Sequence, residues 1–234
     1  MADAPFNYST TMKKIFILSF LLAFTSIAFA QELELGIKIT PSIAGSRIIA
    51  PSEVNFEKEG ANFRFGFGVI ADLYFTDNAA FSTGLSFTGK GGTVSYPTSL
   101  ITPGSTNGRI TDEISLQYLE IPLTVKLFTN EVATDMRVYF QTGFSLNPRM
   151  GAKVNGEKLD QTNNNEKYSK RFNVLDADVI LGTGLEYQVG ETTKLFGGLS
   201  YHRGLVSIDD YYESKNDKIE LRNNVISLDL GVKF

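Results

Sequence analysis

The sequence predicts an all-β fold, an eight-stranded antiparallel up-and-down transmembrane β-barrel of outer-membrane type. Three observations predict it. Apolar and polar residues alternate with period two in eight separate segments. The connections between those segments alternate long and short. A secretory leader precedes the first, and no later stretch approaches the about 18 consecutive apolar residues that a membrane helix requires.

The leader is read directly. Met12, Lys13 and Lys14 form a positive start, residues 15–24 are apolar except for Ser19, and Ala28-Phe29-Ala30 supplies a small-x-small cleavage site before Gln31. Residues 1–11 are polar and read as an upstream extension or mis-start, 12–30 as the signal peptide, and 31–234 as the barrel domain. With no Cys in the chain, a lipoprotein anchor, a disulfide framework and a thiol nucleophile are all excluded. The formal charge of -4 excludes a basic nucleic-acid binder.

The strands follow in order. Residues 33–39 set Leu33, Leu35, Ile37 and Ile39 against Glu34 and Lys38. Residues 63–75 give the cleanest pattern, with Phe63, Phe65, Phe67, Val69, Ala71, Leu73 and Phe75 on one face and Arg64, Gly66, Gly68 and Asp72 on the other. Residues 80–88 oppose Phe81, Leu85 and Phe87 to Ser82, Gly84 and Ser86. Residues 114–128 place Leu119, Ile121, Leu123, Val125 and Leu127 opposite Glu120, Thr124 and Lys126; the phase before Leu119 is less clean and predicts a bulge near Gln117. Residues 137–146, 174–188, 194–202 and 225–234 complete the set, the seventh being weakest because Phe196 lies on its polar side.

The long connections, 40–62, 89–113, 147–173 and 203–224, are polar and alternate with the short ones 76–79, 129–136 and 189–193. That asymmetry predicts extracellular loops, periplasmic turns and both termini in the periplasm. Repeated glycines and charges of both signs on the polar faces suit a crowded lumen better than a solvated exterior. The expected luminal polar core is Lys38, Arg64, Asp72, Glu120, Lys126, Asp176, Asp178, Glu186 and Asp229, with the two aspartates of the sixth strand paired to Arg64, Lys38 or Lys126. Phe234, an apolar-phase terminal residue, is the expected signal for the barrel-assembly machinery.

Tyr118-Leu-Glu-Ile-Pro-Leu-Thr-Val-Lys126, Gly182-Thr-Gly-Leu-Glu-Tyr187 and Tyr201-His-Arg-Gly-Leu205 resemble three strand motifs of the PorT-like outer-membrane β-barrel family of Bacteroidetes. The resemblance implies the barrel fold and the outer membrane, and transfers no catalytic residue. Pro122, inside the fourth strand, predicts a bulge or bent rung.

The leading functional expectation is a non-enzymatic structural or accessory subunit of an envelope or secretion complex. Its expected partners are outer-membrane lipid, lipopolysaccharide, the assembly machinery and other envelope proteins, and no cofactor, metal or nucleic acid. An alternative is a small barrel enzyme acting on lipid or peptide with His202, the only histidine, as base. Ser200 shares its strand face but stands about 6.6 Å along the axis, read as too far for direct contact. A third reading is a soluble secreted lipocalin-like binding barrel. In the last loop Asp209, Asp210, Glu213 and Asp217 make an acidic cluster, read as solvated in preference to a cation site. Ile43, Ile48, Ile49 and Val54 of the first loop are expected to fold over the barrel mouth or meet a partner.

Overall fold

A computed structural model describes residues 32–234 apart from 103, 106–107, 161–164 and 216–217. The leader, the upstream extension and Asp217 lie outside the described residues. Eleven strands are present among the described residues: β1 (Leu33–Ile49), β2 (Glu57–Thr76), β3 (Ala79–Lys90), β4 (Gly92–Pro97), β5 (Arg109–Phe128), β6 (Met136–Val154), β7 (Leu159–Asp160), β8 (Glu166–Lys167), β9 (Leu175–Gln188), β10 (Lys194–Gly204) and β11 (Glu220–Lys233).

Eight of these positions are barrel staves, since β3 and β4 are one stave interrupted at Gly91 and β7–β8 is a small hairpin within a loop. Gly91 has φ +104, and a side chain there would press on the Ile114 carbonyl, so the break needs glycine. Every neighbouring pair is antiparallel, and β1 closes the sheet by pairing with β2 from Leu33↔Leu73 to Gly45↔Ala61 and with β11 from Gly36↔Lys233 to Ile49↔Glu220. Closure removes the sheet edges, which in hydrocarbon would leave backbone groups unpaired. Phe234 stands at this seam: its N–H donates to the Leu35 carbonyl at 2.7 Å, and its ring is exposed.

The outer belt is apolar over the central part of the staves. Phe63 (70% exposed), Ile37 (58%), Phe144 (57%) and Leu199 (59%) all point away from the barrel. So contiguous an apolar surface is one that lipid must cover.

The staves run further than the alternation predicts. β1 continues ten residues past the expected end at Ile39, and β4, the start of β5 and the end of β6 occupy sequence expected to be loop. The reason is a reversal of chemistry along unbroken strands. On β5 the even positions face inward throughout, yet they read Ile114, Leu116 and Tyr118 at the loop end and Glu120, Thr124 and Lys126 further down. The untidy pattern before Leu119 is therefore no change of phase in β5. A register shift does lie between Gln117 and Tyr118, but the extra residue is Met150 of β6, between the pairs Gln117↔Gly151 and Tyr118↔Arg149.

The inward apolar ends of β4, β5, β6 and β11 make a second core above the lipid belt. Val94, Ile114, Leu116, Tyr118, Val154 and Leu221 are buried there with Phe56, Phe172, Ile208, Tyr212 and Ile219 of the loops. Ile48 and Val54 pack against it, as expected of residues covering the mouth, whereas Ile43 and Ile49 face outward. Burying each such side chain contributes about 1.5–3 kcal/mol.

Pro122 acts as a missing rung. The β3–β5 ladder is interrupted between Thr83↔Leu123 and Ser86↔Glu120, while pairing with β6 continues through Pro122↔Ser145. Pro41 does the same at the closing seam, where the β1–β11 ladder skips from Ile39↔Leu230 to Ser42↔Ser227. Phe196, out of phase in the sequence, fills the lumen against Gly231, where a Cβ would stand 2.5 Å from its ring.

Two outcomes are expected. Gly231→Val overpacks this contact, costs about 1–3 kcal/mol, and lowers the temperature at which the folded band is lost on gel electrophoresis. Leu221→Ala opens the upper core at a cost of about 2–5 kcal/mol, so protease cuts the loops sooner while the membrane-protected fragment persists.

Candidate functional site

Among the described residues the lumen is the interior of the lipid-spanned part of the barrel, and its inward polar residues form two webs. In the lower web Lys233, from the penultimate position of the chain, reaches Glu34 at 2.8 Å, Asp72 at 3.0 Å and Glu186 at 2.5 Å. Asp72 also takes Lys126 at 2.8 Å and the Ser82 hydroxyl, and Lys194 pairs with Glu34. Tyr74 and Phe128 stack beside it and Tyr139 lies tilted against Phe128, with Lys126 5.3 Å from the Tyr139 ring centre.

In the upper web Lys90 bridges Asp178 and Glu120, the latter at 3.3 Å. Asn147 donates to Asp178 at 2.8 Å. Lys38 meets Asp229 at 3.4 Å, and Asp229 accepts from Thr40 at 2.9 Å and Ser200 at 2.6 Å. Asp176 lies just above, held by Asn223 at 2.7 Å beneath Tyr118.

Of the nine residues expected in the lumen, Asp72, Glu120, Lys126, Asp176, Asp178, Glu186 and Asp229 sit in these webs with Lys38. Arg64 does not. Its side chain crosses Gly89 to bond the Ile114 carbonyl at 3.1 Å and Glu113 at 3.2 Å, tying β2 to β5 where the third stave is split. The partner of Asp178 is thus Lys90 in place of Arg64, Lys38 or Lys126. Lys90 fell in an expected loop, although it continues the even-numbered polar phase of Ser82, Ser86 and Thr88.

The separation of Ser200 from His202 is also corrected. Their side chains lean together, with Ser200 Oγ 3.2 Å from His202 Nε2, and His202 Nδ1 is 3.5 Å from Glu120 Oε2. A distance along the backbone leaves out how far an imidazole can lean back toward a residue two positions away. Glu120, Asp178 and His202 bring ligand-type atoms within 4.8 Å of one another, but the Lys90 ammonium already stands between the two carboxylates.

The space left is small. One cavity of about 30 Å³ is lined by Lys38, Glu120, Lys126, Ser200, His202 and Asp229, and another of about 20 Å³ by Thr88, Lys90, Glu120 and His202. Either holds about one or two waters. Asp72, Asp178 and Lys233 are 0% exposed and Lys90 2%, so the charges at the centre of each web are packed out of reach of water.

The loops above carry one further buried acid. Asp209 accepts the Tyr211 and Glu213 backbone N–H groups at 3.2 and 3.0 Å, closing the turn that buries Tyr212. Tyr212 and Tyr96 both donate to Asp112, at 2.8 and 2.6 Å. Asp210 and Glu213 stay exposed, so the acidic cluster is divided. Burial pushes the Asp209 carboxyl up to about 7, against the pull of those N–H donors.

A closed antiparallel barrel with an apolar exterior and a charge-paired interior is a transmembrane barrel of outer-membrane type. The chain belongs to the family described as "Outer membrane protein beta-barrel domain", whose model matches residues 29–210. Solved structures similar to it include Neisserial surface protein A (11% identity, 86% of this chain and 95% of that one, TM-score 0.48). OprG from Pseudomonas aeruginosa (12%, 87% and 97%, 0.48) and Ail of Yersinia pestis with the heparin analogue sucrose octasulfate (12%, 87% and 99%, 0.43) are also similar. No curated protein matches the chain.

Lys90→Ala strands two buried carboxylates and is expected to cost about 3–5 kcal/mol, read as a lower urea midpoint for the folded barrel. Folded Asp209 keeps a proton that the unfolded carboxyl has lost between about pH 4 and pH 7. Stability of the last loop therefore falls as pH rises through that window, by at most about 1.4 kcal/mol per unit, and is flat above it. Hydrogen exchange at residues 208–214, corrected for intrinsic rate, should show this slope, and Asp209→Asn should abolish it.

Proposed function

We propose that the protein is a non-enzymatic, sealed outer-membrane barrel acting as a structural or accessory subunit of an envelope or secretion complex, of the PorT-like kind. Its long loops face outside and both termini face the periplasm. The observation that carries this is the lumen itself: buried cations and carboxylates pair in two webs that fill it, Asp176 is held by an amide, and an apolar core caps them. A diffusion pore needs water along its wall, and a lumen of eight strands is narrow enough for side chains to fill. The family and the exposed apolar belt set aside the soluble binding barrel.

The contact between Ser200, His202 and Glu120 favours a second reading, a hydrolase with His202 as base. Against it, the Ser200 hydroxyl is directed to Asp229, and the cavity beside it holds no substrate larger than water. Purified barrel in a planar bilayer should give no defined conductance, and detergent extraction of the native membrane should bring down a stoichiometric envelope partner. Steady channel openings, or a lipid- or peptide-cleaving activity lost in His202→Ala, would displace the proposal.

A further inference from the structure

The outward face of β10, β11 and β1 changes character in successive cross-strand rows. Tyr201, Ile226 and Ile43 form one row, with both isoleucines 58% exposed. The next row is Arg203, Asn224 and Gly45, and above it Arg222 stands directly opposite Arg47. Lys58 extends over the same place, its Nζ 3.3 Å from where a Cβ on Gly45 would lie. Three guanidiniums and an ammonium thus gather on the first rows above the apolar belt.

This gathering is local and poorly neutralised. On β5 the outward residues at the same transition are Gln117, Ser115 and Glu113, and on β9 the face stays apolar up to Leu175. Glu220 pairs with Arg222 at 2.6 Å, but among the described residues no carboxylate lies within ion-pair distance of Arg47 or Arg203. Arg47 donates one bond to the Gly204 carbonyl at 3.0 Å, and its Nε has no partner among the described residues. Burial, then the charges of Arg203 and Arg222, pull its pKa below the usual value. Like charges set directly across a ladder destabilise it; Glu220 offsets part of that repulsion, and a further anion against Arg47 and Arg203 would relieve the rest.

We infer that this face binds the phosphate-bearing head group of an outer-leaflet glycolipid, with Arg47, Arg203, Arg222 and Lys58 on the phosphate and the row of Tyr201, Ile226 and Ile43 against its acyl chains. The position supplies the choice of ligand. A phosphate lies where a lipid's apolar chains end, and guanidinium forks match its oxygens. The inference names a partner for the proposed barrel and does not need the lumen to be closed, so a conductance result leaves it standing.

The test uses the full barrel in phosphatidylcholine vesicles, alone or doped with phosphorylated lipid A or with the same lipid A after dephosphorylation. The phosphorylated lipid should raise the thermal midpoint of the wild type and the dephosphorylated lipid should not. Each of Arg47→Gln, Arg203→Gln and Arg222→Gln should weaken lipid affinity about fivefold, and the triple variant should lose the shift. In plain phosphatidylcholine Arg203→Gln, whose side chain makes no ion pair among the described residues, should unfold no earlier than wild type, because part of the repulsion is gone. Lys153→Gln, on the far side of the barrel, should keep the full shift. If the triple variant does not fold, Arg203→Gln alone decides, since its side chain makes no ion pair among the described residues. A shift that survives dephosphorylation, persists without the arginines, or is reproduced by inorganic phosphate on undoped vesicles overturns the inference. Loops labelled from the periplasmic side of cells would overturn the proposed orientation and, with it, the outer-leaflet source of the lipid, whatever the vesicles show.

Discussion

Everything in this structure depends on the need to hydrogen-bond every backbone group of a sheet placed in hydrocarbon. An open sheet cannot do so at its edges, so β1 has to meet β11. Once the sheet closes, the period of two sends alternate residues to two different solvents, lipid outside and a narrow lumen inside. The lumen then becomes the structural problem. It is too small to hydrate a dozen ionisable groups, and a charge left unpaired there is costly.

The solution is dense pairing around a few cations. Lys233 answers three carboxylates, Lys90 answers two, and hydroxyls and amides from Thr40, Ser82, Asn147 and Ser200 take up some of the remaining acceptor positions. Because Lys233 sits on the last strand and its partners on β1, β2 and β9, the network cannot form until the barrel has closed. Its energy is thus tied to the seam. Small residues serve the same end: Gly231 leaves room for Phe196, and Gly184 and Gly198 leave room for the Tyr139 phenol.

The alternation made the membrane part of each stave legible, together with the lumen-facing sense of Asp72, Glu120, Lys126 and Asp229. It failed at the upper ends for a physical reason. A reader who expects polar residues inside takes Ile114, Leu116 and Val94 for a broken pattern or a loop, when they continue the same inward phase in a different setting. Lys90 was lost with them, and with it the partner of Asp178. The contact of Ser200 with His202 lay beyond any reading of spacing, since it depends on how two side chains lean.

The two rival sequence readings, a membrane barrel and a soluble one, turn out to describe two heights of one barrel. On β5 the outward face is apolar from Leu127 up to Leu119 and polar from Gln117 onward, while the inward face is polar at Lys126 and Glu120 and apolar at Tyr118, Leu116 and Ile114. Both faces change sense within two residues. Below that level this stave is built for lipid, with charges inside; above it the same stave is built for water, with an aromatic and aliphatic core within and polar residues outside. The reversal fixes the depth at which the protein sits. Sliding by one residue pair in either direction would put Arg203 into hydrocarbon or Ile226 into water, so the chemistry of the strands, more than their length, sets the membrane boundary.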